Sequence, residues 1–135
     1  NNEGFKGFET GTFMCSENDV IETFKANKVD LENVVLLKGL FNGSASILKE
    51  KVEKAAIINI DGDLYESAVD ALAAISHAID VGTVLLFDDY NCFNSSNKHG
   101  ERRAFREYRE HSTLVFEKWQ PYESSGQSFL CVDKK

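Results

Sequence analysis

The chain is poor in the residues that mark specialised classes. It holds one proline, Pro121, and three scattered cysteines, Cys15, Cys92 and Cys131. That spacing makes neither a disulfide framework nor a C-x-x-C metal site, and it points to a reducing, cytoplasmic setting. Cys92 has no His pattern near it that would activate a thiol, so it reads as a small apolar residue. No apolar run approaches the length of a transmembrane helix, and the first residues lack a basic-then-apolar signal pattern. Positive charge is also scarce: 15 Lys and Arg stand against 22 Asp and Glu, a formal net charge of −7. Such a balance argues against non-specific nucleic-acid binding and against docking on anionic lipid. What is present suits one domain over 1–135 with a real core: 42% hydrophobic and 27% charged residues, no internal repeat and no visible boundary.

The chain is organised around Ala55 to Tyr90, where two short apolar runs each end in acids. Ala56-Ile57-Ile58-Asn59-Ile60 leads into Asp61-Gly62-Asp63, and Thr83-Val84-Leu85-Leu86-Phe87 leads into Asp88-Asp89. Between them Leu64, Ala68, Leu72, Ile75 and Ile79 recur with helical spacing. Strand, helix, strand is a βαβ unit with parallel strands and a right-handed crossover. Neighbouring strands lie roughly 4.8 Å apart, which would gather Asp61 and the Asp88-Asp89 pair at the carboxyl edge. Open α/β sheets bind ligands at that edge.

The rest of the chain falls in order around this unit. Asn1 to Phe13 reads as loop. Ser16 with Asp19 resembles a capping box and opens a helix to about Lys28, with Val20, Ile21 and Phe24 on its apolar face. Val34-Val35-Leu36-Leu37 reads as a buried strand, and Ser44 to Lys54 as a short helix with Ile47, Leu48 and Val52 inward. Asn91 to His99 is a polar, turn-rich loop above the acids, expected to be mobile. Gly100 to His111 is a charged helix with Ala104, Phe105 and Tyr108 inward. Leu114–Trp119 and Ser128–Val132 suit an antiparallel hairpin joined through Pro121 to Gly126. The order β-α-β-α-β-α-β-β resembles one half of a doubly wound fold.

Clustered carboxylates repel unless a cation or a shared proton relieves them. Three readings follow. In a divalent-metal site, Asp61, Asp88 and Asp89 would be hard oxygen ligands and Asp63 a general base. In a phosphatase-like D-x-D site, Asp61 would be the nucleophile. That reading lacks a phosphate-holding Lys between Asp63 and Asp88 and a Thr after D-G. In the third, D-G-D is simply a turn and Asp89 or Asn91 a helix cap.

The segments IDGDLYESAVDAL, GTVLLFDDY and GERRAFREY, in that order, resemble the macrocin-O-methyltransferase-type sugar O-methyltransferases, which use S-adenosylmethionine. The upstream GFKGFE and KGLFN segments are similar to family segments as well. The resemblance implies an α/β, Rossmann-like class I methyltransferase sheet, here partial: three parallel strands plus a C-terminal antiparallel hairpin, without the first two strands. It implies Mg²⁺-dependent methyl transfer to a hydroxyl of a small, sugar-like acceptor. By position Asp61, Asp88 and Asp89 match metal ligands and Asp63 the base. Lys38, Gly39 and Phe41 match the loop beside the cofactor adenine. Arg102 and Arg103 match basic residues near the acceptor, or else face solvent and pair with Glu.

Some of the family pattern is missing. The Gly-rich loop and the ribose-holding acid belong before Asn1, and Gly4, Gly7 and Gly11 do not replace them, since no apolar strand precedes them. One G-G is reduced to Val81-Gly82. The chain thus reads as the C-terminal two-thirds of such an enzyme, carrying its metal and acceptor half. The alternative is a non-catalytic fragment that does not bind S-adenosylmethionine. An open sheet edge would invite pairing, so a homo-oligomer is expected.

Overall fold

The structure, a computed structural model, describes residues 15–135. The readings on Asn1 to Phe13, with Gly4, Gly7 and Gly11, lie outside the described residues. The chain divides between Leu40 and Phe41 into two compact units.

In the first unit, helix α1 spans Glu17–Ala26 and opens on the expected capping box: Ser16 and Asp19 satisfy each other's backbone N–H groups. Residues 34–37 do not form the expected buried strand. A single 3-10 turn, Leu31–Asn33, precedes an unpaired extended stretch in which Val35 is 63% and Leu36 41% exposed. A strand needs a partner for its N–H and C=O groups, and no strand pairs with this segment among the described residues. The described sheet therefore has two parallel strands, not three.

In the second unit, α2 spans Phe41–Lys51, beginning three residues earlier than its apolar pattern suggests. It packs on α3 (Tyr65–Ile75), where Asn42 donates to Asp70 at 3.0 Å. Ile47 is exposed rather than inward, while Leu48 and Val52 are half-buried. The expected βαβ unit is present: β1 (Ile57–Ile60), α3, and β2 (Val84–Phe87), paired parallel with Ile60 opposite Phe87. Helix α5 (Gly100–His111) has the boundaries its sequence implies. The hairpin strands are longer than their apolar runs, β3 covering Leu114–Tyr122 and β4 covering Gly126–Lys134. Pro121 fits inside β3 because that strand lies at the sheet edge, where a missing N–H costs no ladder bond. The order β1-β2-β4-β3 places antiparallel β4 beside β2.

One face of this mixed sheet carries the core. Ile58, Ile60, Leu85, Phe87, Phe129 and Cys131 pack against Ala68, Ala71 and Leu72 of α3 and Ala104 and Phe105 of α5. Burial of that apolar face is what fixes α5 over the carboxyl end of β2.

Candidate active site

Because β1 and β2 run parallel with Ile60 level with Phe87, the next residues, Asp61 and Asp88, leave the same rim. The two acidic turns are built differently. After β1, the Leu64 N–H donates to the Gly62 carbonyl across Asp63, whose φ is +50°. Aspartate is among the few residues that take this left-handed conformation readily. After β2, the Ser125 hydroxyl donates to the Asp88 carbonyl at 2.7 Å, and the Asn91 N–H donates to the Ser125 carbonyl at 2.9 Å. The hairpin turn thereby braces the second acidic turn.

The carboxyls of these turns perturb one another. Asp63 shares a hydrogen bond with the Asp89 carboxyl, and this, burial and the neighbouring acids push it up to about 7. Burial, then the charges of Asp61 and Asp89, push Asp88 up to about 6, and Asp61 also hydrogen-bonds to it. The structure thus brings Asp61, Asp63, Asp88 and Asp89 together. They stand in hydrogen-bonded pairs, Asp63 with Asp89 and Asp88 with Asp61. Among the described residues, no three His, Cys, Asp or Glu are grouped so as to hold a metal ion. The donor set is nonetheless all hard oxygen, which suits Mg²⁺. Asp88 Oδ1 is buried with no hydrogen-bond partner, a vacant acceptor facing acids. The chemistry of the donor set fits a divalent cation, and in the paired geometry Asp63 and Asp88 hold their protons more tightly than free carboxyls do.

Glu101 was not visible as a site residue. It is fully buried, and its Oε1 accepts from the Gly62 N–H at 3.2 Å and its Oε2 from the Asp89 N–H at 3.0 Å. Burial pushes this carboxyl up to about 9, against the two N–H bonds. Its signal was helical spacing, since Glu101, Ala104, Phe105 and Tyr108 share one face of α5. Tyr122 was missed as well. Its hydroxyl is buried and unpartnered, and burial and the charges of Asp88 and Glu101 raise its pKa.

The segment after the acids is more structured than a plain loop. It forms a single turn, α4 (Cys92–Ser95), in which Phe93, Asn94 and Ser95 have φ near +55°. Phe93 is buried against Gly100, where an added Cβ would come within 2.6 Å of the ring. The Cys92 thiol donates to Asp89 Oδ1 at 2.9 Å, and burial with that bond pushes it up to about 11. It is therefore a poor nucleophile.

Arg103 lies 3.8 Å over the Tyr65 ring and pairs with Glu107 at 2.9 Å, the Glu pairing read as its alternative. Arg102 bonds instead to Asn91 and Asn97, at 3.0 and 2.9 Å, and packs over Tyr90. Lys38 and Gly39 belong to the first unit, where Lys38 reaches Glu17 at 3.9 Å, and exposed Phe41 opens α2 in the second. Among the described residues no helix is long and apolar enough to cross a membrane.

No curated protein matches this chain. Among solved structures, the O-methyltransferase NovP is similar with a TM-score of 0.72 and 25% identity, over 87% of this chain and 46% of its own. CalS11, a TDP-rhamnose 3'-O-methyltransferase of calicheamicin biosynthesis, is similar with a TM-score of 0.57 and 21% identity, over 84% of this chain and 48% of its own. The chain thus spans about half the length of these structures. The macrocin-O-methyltransferase (TylF) family matches over residues 2–117, so with this partial methyltransferase fold the chain belongs to that family.

Proposed function

We propose that this chain carries the metal and acceptor half of an S-adenosylmethionine-dependent, divalent-metal-assisted O-methyltransferase acting on a hydroxyl. A sugar is the acceptor class that family membership suggests. The observation that carries the reading is the hydrogen-bonded set Asp61, Asp63, Asp88 and Asp89 at one rim, with Asp63 raised to about 7. A general base works best with a pKa near the operating pH.

Asp61, Asp88 and Asp89 would hold the cation, and Lys38, Gly39 and Phe41 would border the cofactor. When bound, the cation supplies charge that lowers the pKa of a coordinated hydroxyl, and S-adenosylmethionine supplies an electrophilic methyl. Asp63 takes the hydroxyl proton on its carboxylate. Phe87, Tyr90 and Phe129 form an apolar wall behind the rim, whose low polarisability strengthens charge interactions on the side of the acids that faces it. Calorimetric titration with S-adenosylhomocysteine tests the reading, with micromolar binding expected. No binding favours the second reading, a methyltransferase-like fragment that lacks the cofactor.

We also propose that a second copy covers the outer side of β1, where Ile57 is 65% exposed and no strand pairs among the described residues. Unpaired edges recruit strands. Gel filtration should give a mass above the monomer value; a monomer at working concentration rules this out.

A further inference from the structure

The geometry points to Glu101 as a positioning residue: its buried carboxyl group ties the 61–63 turn to the 88–89 turn, so that their acids act as a unit. This rests on the reading of the rim as a catalytic site.

Glu101 sits in the first turn of α5, where an acid could face solvent and still favour the helix dipole. It is turned inward instead and has no solvent exposure. Burying a carboxyl group is costly, and an apolar side chain of that size would pack there without the cost. The partners that offset it are specific. One oxygen accepts the N–H of Gly62, the residue between Asp61 and Asp63, at 3.2 Å. The other accepts the N–H of Asp89 itself at 3.0 Å. These amides lie 39 and 12 residues from Glu101 in sequence, so one side chain ties the backbones of both turns to α5, beyond the β1–β2 ladder and the carboxyl pairs that already join them. The helix start is held close as well: a Cβ on Gly100 would lie 3.2 Å from the Asp63 carbonyl. One helical turn on, Phe105 anchors α5 in the core, its ring 4.7 Å from that of Phe87 and 4.6 Å from that of Phe129. The β1–β2 ladder brings the two acidic turns to one rim, and α5 through Glu101 braces their backbones there.

The test compares the whole chain with Glu101→Gln. The amide keeps the length but puts a donor against one of the two N–H groups. Hydrogen exchange at the Gly62 and Asp89 amides should speed up about ten-fold or more, with Ile58 and Leu85 unchanged. Calorimetry with MgCl₂ should show affinity falling about ten- to hundred-fold, the loss typical when groups that orient metal ligands are removed. The melting temperature of the metal-free chain should move by no more than a few degrees. Unchanged exchange at both amides overturns the inference. So does faster exchange with unchanged Mg²⁺ affinity, which would make Glu101 structural only. If the wild-type chain binds no Mg²⁺ the metal reading fails, while faster exchange in the variant still supports the strut. Should Glu101→Gln not fold, Glu101→Asp, too short to span both turns, is expected to show the same two losses.

Discussion

The Phe87 and Phe105 rings lie 4.7 Å apart, tilted by 42°, and this contact ties the acidic rim to the helix that braces it. Phe87 ends β2 directly before Asp88. Phe105 lies one turn beyond Glu101 on the same face of α5. Phe105→Ala should therefore cost about 3–5 kcal/mol of stability, as for other buried aromatics. Urea denaturation measures it, and a loss below about 1 kcal/mol would show that α5 is held elsewhere.

Stability should depend on pH in a direction set by three raised carboxyls, Asp88 at about 6, Asp63 at about 7 and Glu101 at about 9. Each has a folded pKa above its unfolded one, so the folded chain binds more protons between the two values. Their contribution is full below about 4 and is lost as pH rises through the folded values. Asp80, lowered chiefly by Lys134, and Glu107, lowered chiefly by Tyr65, act below their ordinary values, outside this window. In chelator-treated protein the melting temperature should fall between pH 5 and pH 9. A rise across that range would contradict the protonated pairing of the rim.

The βαβ unit was legible because its parallel strands are continuous apolar runs and its helix has a clean period. The rim followed, since parallel strands in register end together. Other parts depend on partners that a linear pattern does not display. Residues 34–37 are as apolar as β2, yet a strand exists only where another takes its hydrogen bonds. Pro121 looked like a turn residue because nothing in the sequence marks β3 as an edge. Glu101 was hidden by its charge, which on a helix rich in Arg and Glu reads as solvated. The left-handed turn at 93–95 comes from packing of Phe93 on Gly100, which turn composition alone does not encode.

Gly100 has φ of +55° and sits beneath the Phe93 ring. Gly100→Ala strains both the backbone and that contact, and should destabilise the chain by about 1–3 kcal/mol. Thermal unfolding measures it; a neutral substitution would mean the α4 turn can shift freely.

Cys92 should alkylate slowly. With its thiol pushed up to about 11, little thiolate exists at pH 8. Timed iodoacetamide labelling read by mass spectrometry should modify exposed Cys15 well before Cys92. Faster labelling of Cys92 would contradict its burial against Asp89.

The most direct measurement is the thermal shift caused by Mg²⁺ in the wild-type chain and in Asp88→Asn. A ligand at about 100 times its Kd adds about 2.7 kcal/mol, a shift of several degrees in a domain of this size. The wild-type chain should gain that shift and Asp88→Asn should lose it. An equal shift in both would place the ion elsewhere and contradict a metal centre at this rim.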